Sequence, residues 1–153
     1  VIEIPITTAL EAGTAALKAF GAKKILLLTP FDDGLNSLLQ DFLEDQALEV
    51  SVPINNRTDT RKADVDSTER KTTEEVFSLA INAYQEYPDV EAIYFQGAPL
   101  NPLHAIEDIE STLGIPVIAS NPAMFWHISS LLSYRFPGSK GGRLLEEWPS
   151  LSR

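Results

Sequence analysis

The sequence contains no cysteine, which removes at once a disulfide framework, a thiolate nucleophile and any cysteine-based metal site. That absence suits the cytosol and the exterior equally. Positive charge is also scarce: 12 Lys and Arg stand against 22 Asp and Glu, a net charge of -10. Nucleic acid is thereby excluded as a partner, because phosphates require a basic footprint. No apolar run approaches the ~20 residues needed to span a bilayer, and no signal-peptide pattern is visible. A cytoplasmic protein with no membrane partner is the expectation. Neither a P-loop lysine nor GxGxxG occurs, so nucleotide binding has no motif behind it. The two histidines, His104 and His127, lack metal-site spacing and read as surface or structural residues.

What is present suffices for one domain. The 153 residues, 44% of them hydrophobic, can bury a core without staples. Val1-Ile2-Glu3-Ile4 is an extended apolar run with no initiating methionine, and it predicts that the chain belongs to something longer. Thr8-x-x-Glu11 and Thr72-x-x-Glu75 are capping boxes, in which hydroxyl and carboxylate each satisfy an orphan amide. Helical stripes follow at Leu10, Leu17 and Phe20, and again at Leu35, Leu38, Leu39, Phe42 and Leu43. The longest stripe runs from Val76 to Tyr87. Leu103, Ile106, Ile109 and Leu113 predict a helix with Pro102 in its first turn, and Pro122 starts another.

The runs 23–28, 92–96 and 116–120 are short and continuously apolar, as strands buried on both faces are. Ala47 to Ile54 alternates but carries Pro53, which predicts an edge strand. Asn55 to Lys71 is polar and aperiodic, either a solvated loop or a flap over the strand ends. Right-handed crossovers then give an α/β fold, a three-layer αβα, flavodoxin-like parallel sheet of about four strands. It occupies residues 1–134. The tail, 135–153, is expected to pack on this lobe or on a partner, with a helical turn at 144–148.

Ligands of such sheets bind outside the carboxyl ends of the strands. There the loops Thr29 to Asp33, Asn55 onward, Gln96 to Leu100 and Ser120 to Ala123 should converge. Amides at the helix starts make that edge attractive to carboxylate or phosphate. Asp32 and Asp33 read as helix-capping acids before general acid–base residues. Thr29 and Ser120 offer hydroxyls, although no His–Asp pair makes either a nucleophile.

The segment Leu26 to Asn36 resembles the strand–turn–helix of the Asp/Glu racemase superfamily, especially maleate isomerases and arylmalonate decarboxylases. Tyr84 to Asp89 with Ala92-Ile93 is similar to the helix end and strand leading to that family's second active-site loop. The most specific match is Gly114-Ile-Pro-Val-Ile-Ala-Ser-Asn-Pro-Ala-Met-Phe-Trp126. The resemblance runs from about Thr7 to Leu132 and implies one lobe of a two-lobed, cofactor-independent protein that holds a small carboxylate between its lobes. It further implies that the first lobe is missing, that the second-lobe cysteine position is Gly97, and that a tyrosine hydroxyl is replaced by Phe31.

The expected substrate is a small dicarboxylate of malonate, maleate or aspartate type, held by Thr29, Phe31, Asn36, Gln96, Gly97, Ala98, Ser120 and Asn121. No cofactor and no metal are expected. A missing first lobe or a homo-oligomer partner would complete the site. If active, the protein is a decarboxylase or cis–trans isomerase; a cysteine-dependent racemase has no second thiol here. The competing expectation is a catalytically degenerate domain kept for binding or dimerisation, and a flavodoxin-like module of unrelated function remains the third.

Overall fold

In a computed structural model, which describes residues 4–53, 71–136, 138 and 140–151, a parallel sheet is sandwiched between two helical layers. Helix α1 (Ala9–Ala19) precedes β1 (Lys24–Leu28), α2 (Asp33–Asp45), β2 (Glu49–Ser51) and α3 (Thr73–Glu86). Then come β3 (Ala92–Phe95), α4 (Ile106–Leu113), β4 (Val117–Ala119), α5 (Ser120–Leu131) and α6 (Arg143–Glu147). The strand order is β2-β1-β3-β4, all parallel. The chain leaves β1 in one direction and later crosses back over it to reach β3. Right-handed crossovers therefore put α2 on one face and α3 with α4 on the other.

Both capping boxes form: Thr8 and Thr72 each exchange side-chain bonds with the glutamate three residues on. Strands β1 and β3 are buried on both faces, so their side chains alternate between two cores. Ile25, Leu27 and Tyr94 face α1, α2, α5 and α6, while Leu26, Leu28, Ile93 and Phe95 face α3 and α4. Strand β2 lies at the sheet edge and is short, as Pro53 two residues later requires.

Several expectations need correction. Leu35 and Leu38 are 42% and 66% exposed, and Asn36 turns inward instead. A bond between the Thr29 hydroxyl and the Asn36 side chain fixes the rotation of α2, so the apolar stripe starts only at Leu39. The helix expected from Pro102 begins later, at Ile106. Before it, Ala98–Leu100 and Pro102–His104 form tight 3-10 turns separated by Asn101, whose φ of 41° is left-handed. Leu103 is consequently exposed rather than part of the α4 stripe. Ser120 does not end β4; it opens α5. The expected loop or flap, Asn55 to Lys71, lies outside the described residues except for Lys71.

The tail contributes to the core. Leu144, Leu145 and Trp148 are buried beside Trp126, whose indole donates to the Pro149 carbonyl at 3.2 Å. Two carboxylates of α4 hold this segment in place. Glu107 accepts the Gly141 amide at 3.2 Å, and Glu110 accepts the Arg143 amide and the Val117 amide at 2.8 Å each. Burial pushes the Glu110 carboxyl above the usual glutamate range, against the opposite pull of those two amides.

Gly13 lets α1 lie against the sheet, because a methyl group there would overlap the Tyr94 ring. Gly13→Ala is expected to lower stability by roughly 1–3 kcal/mol through overpacking. A denaturant midpoint lowered without a change in slope would verify it.

Candidate functional site

The ends of β3 and β4 open onto a small cleft of about 70 Å3. One wall is the turn after β3, with Gly97 and Ala98, continued by Asn101, Pro102 and Leu103. The other is the start of α5, with Ser120, Asn121 and Pro122. The backbone amides of Gly97 and Ala98 donate to no protein acceptor among the described residues. Helix α5 begins without a side-chain cap, so the amides of its first turn also lack intrahelical acceptors. Residues of two elements with unspent amides thus line one space, and the dipole of a 12-residue helix adds positive potential there.

Four of the expected site residues line this cleft: Gly97, Ala98, Ser120 and Asn121. Thr29, Phe31, Asn36 and Gln96 do not. Thr29 and Asn36 are 0% and 4% exposed and are spent on the turn after β1. The Thr29 hydroxyl bonds Asn36, the Phe31 amide donates back to that hydroxyl at 3.2 Å, and the Asn36 amide group donates to the Phe31 carbonyl at 3.0 Å. Asp32 caps α2, accepting the Leu35 amide at 2.9 Å.

Gln96 shares the Tyr94 side of β3, two residues on, and points under the cleft rather than into it. Its side-chain oxygen accepts from Tyr94 at 2.8 Å and from Ser120 at 2.5 Å. Burial pushes the Tyr94 phenol well above the usual tyrosine range, the Ser120 hydrogen bond opposing, so it stays protonated and cannot act as a base. Ser120 has its proton committed to Gln96, with the Phe95 carbonyl a second acceptor at 3.3 Å. It faces the cleft as an oxygen acceptor, not as an activated nucleophile.

Pro30 and Phe31 reach Gly97 from the neighbouring loop. A Cβ on Gly97 would stand 2.5 Å from Pro30 Cδ and 3.1 Å from Phe31 Cζ, and the φ of +114° disfavours a side chain in any case. The point where the strand order reverses, between β1 and β3, is closed by these two residues. The open space lies one strand over, between β3 and β4.

Asn101, Pro102 and Leu103 line the cleft without having been expected to. The signal was available: Asn before Pro favours a turn and tolerates left-handed backbone. His127 lies elsewhere, its Nδ1 2.6 Å from the Thr7 hydroxyl, and burial pulls its imidazole below the usual histidine value. Among the described residues no three His, Asp or Glu side chains cluster to hold a metal, and no helix is long and apolar enough to cross a membrane.

The arylmalonate decarboxylase family profile matches residues 2–145. The chain is 32% identical over 145 residues to the arylmalonate decarboxylase of Bordetella bronchiseptica, covering 94% of this chain and 59% of that one. A crystal structure of arylmalonate decarboxylase superposes with a TM-score of 0.80 at 30% identity, over 94% of this chain and 61% of that one. A maleate isomerase from Pseudomonas putida S16, solved with maleate, shares the fold with a TM-score of 0.78 at 23% identity, over 93% and 55%. The chain therefore spans about three-fifths of the length of the relatives it matches. With this fold, this strand-end cleft and these matches, the chain belongs to the arylmalonate decarboxylase family.

Proposed function

We propose that this lobe supplies the carboxylate-holding half of a cofactor-independent decarboxylase- or isomerase-like protein acting on a small dicarboxylate of malonate, maleate or aspartate type. The supporting observation is the cleft itself, lined by Gly97 and Ala98, whose amides meet no acceptor among the described residues, and by the uncapped start of α5. When a malonate loses carbon dioxide, negative charge spreads onto the retained carboxylate. Fixed amides aimed at that group favour the charge-delocalised transition state more than the ground state. A preorganised donor of this kind is worth about 10²–10³ in rate. The first-lobe counterpart, or a second copy of the chain, closes the other side.

Among the described residues the cleft offers no proton donor on a titratable side chain. Its described lining carries only Phe, Gly, Ala, Asn, Pro, Leu and Ser side chains, and the chain has no thiol. Lacking a general acid typically costs about 10²–10⁴ in rate. A second reading, a catalytically degenerate binding or dimerisation domain, draws on the same fact and on Pro30 and Phe31 filling the space beside Gly97.

Calorimetric titration of the native full-length protein with phenylmalonate, maleate and aspartate tests both readings. Saturable binding of one of them, weakened at least tenfold by Asn121→Asp, is expected, since a carboxylate at the start of α5 opposes an anionic ligand. Turnover alongside binding selects the enzyme; binding without turnover selects the degenerate domain. No binding of any of the three removes the enzyme and the carboxylate-binding domain, and leaves dimerisation alone.

A further inference from the structure

Among the described residues lining the cleft, Ser120 carries the one hydroxyl, and its partners fix which way that hydroxyl faces. Its proton goes to the Gln96 side-chain oxygen at 2.5 Å, with the Phe95 carbonyl at 3.3 Å as the other acceptor in reach. Gln96 is itself held. The same oxygen accepts the Tyr94 phenol at 2.8 Å, which fills both of its lone pairs. Tyr94 is fully buried and also donates to the Ala9 carbonyl at 3.2 Å, so this chain of bonds is anchored in the core.

With its proton turned inward, the Ser120 oxygen keeps two lone pairs, and no described residue donates to it. A hydroxyl able only to accept thus lines the same cleft as Gly97 and Ala98, whose amides can only donate. The space is small: about 70 Å3, the share of about two waters in the liquid. It admits a carboxylate and one compact polar neighbour, whereas a phenyl ring has to project out of it. That neighbour must be a hydrogen-bond donor to satisfy Ser120. An ammonium would donate, but it would bring positive charge to the start of α5, where the helix dipole is already positive. A hydroxyl donates without that penalty.

Resting on the carboxylate-binding reading of the cleft, we propose that the diacid held here carries a hydroxyl on the carbon next to its bound carboxylate, and that this hydroxyl donates to Ser120 Oγ. Ser120 is then the residue that sets specificity. Gln96 and Tyr94 are positioning residues, which keep the Ser120 proton away from the ligand. A methyl in place of the ligand hydroxyl leaves the Ser120 oxygen without a donor, and a site built around a substrate hydroxyl discriminates against the analogue lacking it for that reason.

Calorimetric titration of the native full-length protein with malonate, 2-hydroxymalonate and 2-methylmalonate is the test. Hydroxymalonate should bind at least tenfold more tightly than methylmalonate, its equal in size. Ser120→Ala should bring that ratio below threefold, and Gln96→Met should lower it at least threefold, because the Ser120 proton is then free to turn into the cleft. The ratio is the informative quantity, since a merely loosened fold weakens both ligands in parallel. Tyr94 keeps the Ala9 carbonyl in Gln96→Met, so the core retains one of its two phenol bonds. Asn121→Asp should weaken both ligands and leave the ratio as it is, because it acts on the shared carboxylate. Malonate binding with hydroxymalonate and methylmalonate bound alike, or a preference that survives Ser120→Ala, overturns the hydroxyl assignment and leaves the carboxylate cradle standing. Binding of none of the three overturns the cradle and the assignment together.

Discussion

Glu110→Ala is expected to release the C-terminal segment and cost roughly 2–4 kcal/mol, because two amides inside the fold lose their acceptor. The Val117 amide is fully buried at the start of β4, and the Arg143 amide is part-buried at the start of α6, so neither gains full hydration when the carboxylate is gone. In a domain of this size that corresponds to a fall in Tm on the order of 10 °C. Glu110→Gln should cost less, since its oxygen keeps one amide while its NH2 opposes the other. The chain has two tryptophans, and Trp148 belongs to the held segment, where it is 7% exposed. Tryptophan emission should therefore shift to longer wavelength in Glu110→Ala before global unfolding. An unshifted spectrum and an unchanged Tm would mean that the apolar contacts of Leu144, Leu145 and Trp148 hold the segment alone.

Gly97→Cys, which reinstates the residue type implied at this position by the family resemblance, is expected to destabilise rather than activate. A side chain at φ +114° is strained, and its Cβ would meet Pro30 Cδ at 2.5 Å. Backbone strain and overpacking together amount to roughly 2–5 kcal/mol. Gly97→Ala carries the same Cβ without the sulfur, so its loss of stability should match. Denaturant unfolding of the pair measures this, and a decarboxylation assay on the cysteine variant should show no gain. If Gly97→Cys were as stable as the native chain while Gly97→Ala was not, the thiol would have found a pocket that Pro30 and Phe31 were thought to fill.

Local chemistry made much of the fold readable in advance. The two capping boxes depend on residues three apart, and the buried strands announce themselves as unbroken apolar runs. Pro53 marked β2 as an edge for a reason internal to one residue, its missing N–H. What escaped notice depends on distant partners. The rotation of α2 follows from the bond between Thr29 and Asn36, and the tail is ordered by Glu107 and Glu110, more than thirty residues upstream. Neither contact is local, and the Gly- and Pro-rich tail gives no hint of its anchors on α4.

The candidate site divides along the same line. Gly97, Ala98, Ser120 and Asn121 were readable because a strand passing directly into a turn or helix places them at the sheet edge. Gln96 is different. Its period-2 relation to Tyr94 was visible in the sequence, yet only the depth of the Tyr94 phenol shows that Gln96 turns inward to meet it. Likewise, nothing local shows that Pro30 and Phe31 close the space beside Gly97, since that contact joins two loops far apart in sequence.

The most direct measurement is an amide NMR titration of the native chain with maleate and phenylmalonate. The account predicts that the Gly97, Ala98 and Asn121 amide resonances move together and saturate, while those of Thr14 and Lys18 on the remote face of α1 stay in place. Movement confined to other residues, or no movement at high ligand concentration, would contradict a carboxylate cradle at the ends of β3 and β4.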